Sequence, residues 1–206
     1  MKLIKKSLSF ITAIACCAAI SSIMPFSSSA EESVKTYGDL SYITLDSDGD
    51  GTDDYAQIVD CNETAVEVDI PAEIEGLPVK STRDWAFADC KSLTSISVPD
   101  SVNAIGNGAF SGCSSLASIN IPNSVTTIRG SAFCNCLSLT SITIPESVTS
   151  IEIAAFSGCS SLTNITIPDL VDTIGDHAFY NCSSLTNITV SETVSYTHLR
   201  AHETDQ

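Results

Sequence analysis

The sequence predicts a mainly β repeat solenoid, in which short strands of successive coils stack into a parallel sheet. A motif of 23 residues recurs five times, close to A-F-x-x-C-x-S-L-x-x-I-x-I-P-x-S-V-x-x-I-x-x-x. Within each unit, two apolar residues alternate with polar ones, and a proline ends the strand in all but the last. A fixed period of this size is typical of stacked coils. The pairs that open the units are Ala86-Phe87, Ala109-Phe110, Ala132-Phe133, Ala155-Phe156 and Ala178-Phe179.

The first 30 residues predict a signal peptide. Three lysines precede a mostly apolar stretch over residues 8–26, and residues 28–30 are small, as a cleavage site requires. We therefore expect a secreted or cell-surface protein. A permanent anchor is disfavoured by Pro25 within the apolar stretch, and a lipoprotein signal ending at Cys16 or Cys17 is disfavoured because apolar residues follow both cysteines.

Residues 31–65 predict an N-terminal cap built on a β-hairpin. Residues 31–38 form a short polar lead-in, and residues 40–45 alternate like a strand. Residues 55–59 return as the second strand, after an acidic, glycine-containing turn over residues 46–54.

That acidic turn carries the best candidate for metal binding. Its sequence, D-S-D-G-D-G-T-D-D, places carboxylates at alternate positions around glycines, which suits calcium. It resembles EF-hand, thrombospondin type 3 and dockerin-like loops but has Gln57 at the twelfth position, so we expect weak or partial binding. The alternative is a solvated acidic turn, for which Asp and Gly are also suited. The predicted ligands are Asp46, Asp48, Asp50 and Asp54.

Residues 66–194 predict the solenoid itself. Residues 66–71 resemble the I-x-I-P core and predict a degenerate first coil, followed by a longer connection over residues 75–78. In the next coil Val102 and Ile105 return to the core after the strand. The Ala-Phe pairs close the far side, and their phenylalanines should form one internal column; a short helix in this segment is the alternative. The inward strand pairs are Ile96/Val98, Ile119/Ile121, Ile142/Ile144, Ile165/Ile167 and Ile188/Val190.

One cysteine recurs in each coil. Because all occupy the same column, their side chains point in parallel, and a spacing of about 4.8 Å between coils is longer than a disulfide prefers. We expect small buried thiols. Cys61 has no obvious mate in the sequence, and Cys134 is too close to Cys136 for an easy bridge. The column is Cys90, Cys113, Cys136, Cys159 and Cys182.

The outward strand positions predict a binding surface. They are rich in hydroxyl and amide groups and carry no charge, so the sheet face can hydrogen-bond a protein or a polysaccharide. The alternative is an ordinary solvated sheet. One column is Ser97, Asn120, Thr143, Thr166 and Thr189, and its neighbour is Ser95, Ser118, Ser141, Asn164 and Asn187.

The L-x-x-I-x-I-P core, the A-F-x-x-C step and the 23-residue period resemble the BspA-type leucine-rich repeat. The resemblance covers roughly residues 66–194. It implies a secreted or surface protein, and several members of the family are implicated in adhesion to host proteins or other cells.

The pattern ends near Val194. Residues 195–206 have a different composition, with His198 and His202 but no core spacing, and resemble a translated adapter sequence. We expect a foreign tail and a truncated array, whose open end would favour end-to-end self-association. The alternative is a genuine polar terminal segment.

The net charge and the absence of catalytic motifs exclude some classes of function for this protein. The net charge is −16, which disfavours nucleic acid as a partner. The sequence contains no G-x-S-x-G, H-E-x-x-H or P-loop motif, so we predict no catalysis and no cofactor other than calcium. We expect a surface protein that binds proteins or glycans in adhesion; the alternative is a non-catalytic scaffolding or targeting module of a larger exported enzyme or complex.

Overall fold

The computed structural model describes residues 33–190. The predicted signal peptide and the tail after Val194 lie outside the described residues. The strands are β1 (Lys35–Tyr37), β2 (Leu40–Leu45), β3 (Tyr55–Cys61), β4 (Glu67–Asp69), β5 (Glu73–Ile74), β6 (Leu77–Thr82), β7 (Ser95–Ser97), β8 (Thr127–Ile128), β9 (Ser150–Ile151), β10 (Asn164–Ile167), β11 (Thr173–Ile174) and β12 (Asn187–Val190).

A five-stranded sheet in the order β1-β2-β3-β6-β5 forms the N-terminal part of the structure. The predicted hairpin is confirmed, because β2 and β3 pair antiparallel around the acidic turn. The polar lead-in contains one further strand that the sequence analysis did not predict, since β1 pairs antiparallel with β2. The expected long connection over residues 75–78 is instead a tight hairpin between β5 and β6. Glu75 and Gly76 both have positive φ there, as a two-residue hairpin turn of this kind requires.

A first ladder of strand positions runs along the solenoid, in the parallel arrangement that the repeat predicts. The degenerate coil joins it through β4, which pairs in parallel with β7. At the other end β10 pairs in parallel with β12, with Ile165 opposite Ile188. Between them the coils are linked by the single bridges Asn120–Thr143 and Ser141–Asn164.

A second ladder lies later in each coil and consists of β8, β9 and β11, all parallel. The bridge between Ser81 and Ala104 brings β6 into line with this ladder. The N-terminal sheet therefore continues directly into the solenoid, because β6 belongs to one and is bridged to the other.

The core is the apolar interior of the coils. Its largest members are the phenylalanines, whose rings stack at centroid distances of 5.0 Å for the first pair and 5.4–5.5 Å for the others. The predicted internal column is confirmed, and stacked rings at this spacing attract one another. The Ala-Phe segments are turns closed by bonds such as that from Cys90 N to Phe87 O, and residues 33–190 contain no helix. Within this part of the chain no helix could therefore span a membrane.

Four cysteines of the column are buried beside the phenylalanine stack, and the last, Cys182, is half-buried. From Cys113 onward, each thiol of the column donates to the carbonyl of the phenylalanine in the preceding coil. Two examples are the bonds from Cys113 Sγ to Phe87 O and from Cys159 Sγ to Phe133 O, both at 3.1 Å. No disulfide joins the cysteines of the described residues, as the column geometry predicts. Cys61 has a neighbour in the column, because its thiol shares a hydrogen bond with the thiol of Cys90. This hydrogen bond, together with burial, raises the pKa of Cys61.

Candidate binding surface

The outward side of the first ladder is a surface of small polar side chains. On the strands before β12, buried isoleucines and valines alternate with exposed residues, as in β10, where Ile165 and Ile167 are buried and Asn164 and Thr166 are exposed. This is the period-two alternation of a sheet with one wet face. All ten residues predicted to form the surface are exposed.

Most of these side chains are available to a ligand. In the column of Ser97, Asn120, Thr143, Thr166 and Thr189, no side chain hydrogen-bonds to another described residue. In the neighbouring column, Asn187 donates through Nδ2 to Asn164 Oδ1 at 2.9 Å, so two adjacent coils share an amide ladder. The coils lie about 4.8 Å apart, so polar groups repeat at that spacing along the stack.

A third column, which sequence reasoning missed, stiffens the edge of this surface. Threonines just before the strands donate their hydroxyls to backbone carbonyls of the preceding coil, as from Thr94 to Val66 O at 3.0 Å and from Thr186 to Thr163 O at 3.3 Å. The recurrence of threonine at this position was the available signal. Because these hydroxyls already have partners, they hold the coils together rather than face a ligand.

The N-terminal end of the surface is acidic, which sequence reasoning also missed. The register of β4 and β7 places Glu67 beside Ser95 and Asp69 beside Ser97. Both carboxylates are exposed. Aligning the degenerate coil with the repeats would have revealed them. The surface therefore runs from a negative end to an uncharged stretch.

The acidic loop brings three of its four predicted ligands together. Carboxylate oxygens of Asp46, Asp48 and Asp50 lie within 4.8 Å of one another, and all three residues are exposed. Asp54 is not in this group, because its Oδ2 accepts hydrogen bonds from the backbone and hydroxyl of Ser47.

Hydrogen bonds within the loop order its carboxylates. Asp46 accepts from Gly51 N at 2.8 Å and from Gly49 N at 2.7 Å, and these bonds lower its pKa. Bonds from Thr52 likewise lower the pKa of Asp50. Ionised oxygens close together suit calcium. Gln57 contributes nothing there, since its side chain donates to Ser81 Oγ at 2.9 Å.

The single histidine of the described residues, His177, is an exposed turn residue with positive φ. Its ring lies edge-on to Tyr180 at 5.5 Å. His198 and His202 lie outside the described residues.

Comparison with known proteins agrees with this architecture. A family model described as BspA type Leucine rich repeat region matches residues 80–204 in six copies. None of the curated proteins compared with the chain matches it. Among solved structures, a leucine rich repeat protein of T. pallidum is 34% identical with a TM-score of 0.68, over 75% of this chain and 70% of that one.

Two further solved structures are similar. A leucine-rich repeat protein from Bacteroides ovatus is 34% identical with a TM-score of 0.68, and the match covers 75% of this chain but 40% of that one. A leucine rich cell surface protein from Faecalibacterium prausnitzii is 26% identical with a TM-score of 0.50, over 82% of this chain and 56% of that one. Repeat, fold and family model coincide, and the chain belongs to the BspA type leucine-rich repeat family.

Proposed function

We propose that this protein is a secreted or cell-surface binding protein that attaches to a protein or glycan through the outward face of its first ladder. The observation that carries the proposal is the row of exposed hydroxyl and amide side chains, one per coil in each column. A ligand with regularly spaced hydrogen-bonding groups can contact several coils at once. Affinity then accumulates over many shallow contacts.

Three features support a binding role rather than catalysis. The face is broad, its polar groups carry no charge over most of its length, and the described residues bring no nucleophile and base together on it. Repeat arrays of this kind use extended surfaces to bind partners. The cell-surface description of the Faecalibacterium prausnitzii protein supports an exported location, and adhesion is the process that such a location favours.

A role as a non-catalytic scaffolding or targeting module is the second candidate. It is favoured by the match that covers 40% of the Bacteroides ovatus protein, in which the repeats are part of a longer chain. Both candidates use the same binding face. In adhesion the face attaches the protein itself to a partner, whereas in the second role it targets or assembles a larger exported enzyme or complex.

Binding of the purified chain to arrays of matrix proteins and cell-wall glycans tests the proposal. We expect at least one ligand whose binding is reduced tenfold or more by the double variant Thr143→Lys/Thr166→Lys, because two bulky side chains would interrupt the face on adjacent coils. The matched control is Thr126→Lys/Thr149→Lys. Those exposed threonines flank the second ladder and accept the same change in charge away from the face.

An equal loss in both double variants would show that charge, not the face, governs binding. Blank arrays at high micromolar protein would contradict the adhesion proposal and leave the scaffolding role. Circular dichroism of each variant establishes that the coils are intact.

A further inference from the structure

Two cysteine side chains meet where the N-terminal sheet joins the first coil. Cys61 is the last residue of β3, and Cys90 is the first member of the cysteine column. Their exposed fractions are 4% and 0%, so both lie in the core. The two thiols share a hydrogen bond, and the Cys61 thiol also lies 3.7 Å from Asn62 O. The junction therefore brings two sulfur atoms from separate parts of the chain into contact.

The later column cysteines have different neighbours. From Cys113 onward, each thiol donates to the carbonyl of the phenylalanine in the preceding coil. Equivalent atoms of adjacent coils are about 4.8 Å apart, whereas the Cβ atoms of a disulfide lie about 3.8 Å apart. The degenerate coil before Cys90 contains no phenylalanine, and there the neighbouring thiol is that of Cys61.

Cys61 does not occupy the column position of its own coil. In the first full coil, Leu93 N donates to Cys90 O at 3.1 Å. The equivalent bond in the degenerate coil runs from Ala65 N to Asn62 O at 2.9 Å. Asn62 therefore stands at the column position, where it is exposed, and Cys61 precedes it at the end of a strand. The parallel spacing that keeps column thiols apart does not apply to Cys61 and Cys90.

We propose that Cys61 and Cys90 form a disulfide that ties the N-terminal sheet to the first coil. Exported proteins meet oxidising surroundings, in which adjacent thiols become linked. The inference uses the proposed export only as the source of the oxidant. The loop closed by the bond contains β4, β5 and β6, so the bond restricts the unfolded chain and stabilises the fold.

The oxidant is a small-molecule or protein disulfide. The thiolate of one cysteine attacks a sulfur of that disulfide, which forms a mixed disulfide and releases one thiol. The second thiolate then attacks the mixed disulfide, which forms the bond between Cys61 and Cys90 and releases the second thiol. The two protons lost by the cysteines end on the released thiols, and the two electrons given up by the cysteines reduce the oxidant.

This exchange takes place during folding rather than in the folded protein. The thiolate is the reacting form of cysteine. The hydrogen bond to Cys90 and burial raise the pKa of Cys61, so little thiolate exists once the core has closed. The same burial shields the finished bond, because an attacking thiol cannot reach either sulfur.

Tryptic mapping tests the bond in the full chain, refolded in a buffer of oxidised and reduced glutathione and then alkylated in denaturant. Trypsin isolates Cys61 on residues 36–80 and Cys90 on residues 84–91, with no other cysteine on either peptide. We expect these two peptides to be linked in most molecules and to separate on reduction. The oxidised protein should melt roughly 5–15 °C above the reduced one.

Two variants separate the bond from general effects of the oxidant. The Tm of Cys61→Ser should not depend on the oxidant, because that variant cannot form the bond. Cys134→Ser is the matched control, since Cys134 lies outside the junction. It should keep both the linked peptides and the rise in Tm.

Alkylation of both cysteines after refolding with the oxidant would overturn the proposal. A link between residues 84–91 and 92–129 would do the same, because it would join Cys90 to Cys113 within the column. If refolding yields aggregate, the same map of protein exported into an oxidising bacterial periplasm decides between these results. The redox buffer supplies the oxidant directly, so blank binding arrays would leave this map unchanged and the two proposals fail separately.

Discussion

At the residue scale, the same side-chain type behaves differently according to its place in the coil. Threonines before the strands donate to the preceding coil, whereas Thr143 and Thr166 on the strands face outward without a partner among the described residues. Cysteines follow the same rule. Those of the column from Cys113 onward donate to phenylalanine carbonyls. By contrast, Cys134, two residues before Cys136, is half-buried outside the column.

Cys134 should be the first cysteine of the described residues to react with iodoacetamide at pH 8. Burial raises the pKa of Cys182 to about 11 and raises that of Cys136 well above its ordinary value, so little thiolate exists in the column at this pH. Labelling of Cys182 should accelerate as pH rises towards 11. Peptide mapping by mass spectrometry gives the order. Cys134→Ser should remove the earliest modification; early labelling of Cys136 in that variant would contradict the buried column.

Calcium binding at the acidic loop stays a prediction. We expect weak, millimolar-range binding, because three clustered carboxylates supply fewer ligands than a full EF-hand loop. Asp48→Asn should weaken it several-fold, while Asp53→Asn, whose side chain accepts from Thr44 instead, should not. Calcium titration followed by the amide resonances of Gly49 and Gly51 measures both.

The acidic loop should lose its hydrogen-bonded order at low pH. Its hydrogen bonds lower the pKa of Asp46, so they stabilise the loop above the ordinary aspartate pKa and are lost as pH falls through the lowered value. The amides of Gly49 and Gly51 should therefore shift at a pH below that of an ordinary aspartate. A transition at or above the ordinary value would contradict the bonded geometry.

At the element scale, each coil is held by stacking against its neighbours rather than by long strands. Several strands have only two residues, yet the phenylalanine rings stay within 5.5 Å from coil to coil. The backbones approach so closely that some positions admit only glycine. Stability therefore depends on contacts between coils, as in other repeat arrays.

Glycine variants test this close approach. A Cβ on Gly175 would lie 2.4 Å from Ile153 N, and the backbone there cannot yield as a side chain would. Gly175→Ala should therefore cost about 1–3 kcal/mol and lower Tm by roughly 2–12 °C. Gly130→Ala is the control, because its Cβ would meet no atom closer than 3.4 Å. Equal melting temperatures for the two variants would contradict the packing described.

At the scale of the whole molecule, the described part of the chain combines two architectures without a break. A mixed sheet supplies β6, which lies parallel to β3 and antiparallel to β5. The same strand is bridged to the second ladder of a parallel solenoid. This junction also forms a cleft of about 370 Å³ that is lined from both parts, with Gln57 on the sheet and Arg129 on the coils. At the other end, β12 pairs with β10 and with no other described strand, and Ile188 is 38% exposed.

The chain should self-associate at high concentration through this edge. Ile188 is exposed on β12, whose second edge pairs with no other described strand, and such an edge favours addition of a second copy. Ile188→Lys should reduce the association, whereas Thr189→Lys adds the same charge on the outward face and should change it less. Sedimentation velocity over a concentration series measures this. A monomer at all concentrations would contradict the expectation.

Much of the fold could be predicted from the repeat, because one period imposes the same environment on every equivalent residue. It predicted the parallel first ladder, the phenylalanine column and the buried cysteines, and placed the serine, threonine and asparagine columns outward. It failed where the period breaks down: β1 and the tight β5–β6 turn depend on pairing within the N-terminal sheet, which no repeat encodes.

The sequence by itself determined the solenoid, its core and its outward columns, because alternation and a fixed period are local properties of the chain. Only the tertiary structure decided which groups meet across long separations. It placed Cys61 against Cys90 and separated Asp54 from the other loop carboxylates. Those arrangements depend on how sheet and coils pack, since contacts between distant residues follow from the register of strands rather than from spacing along the chain.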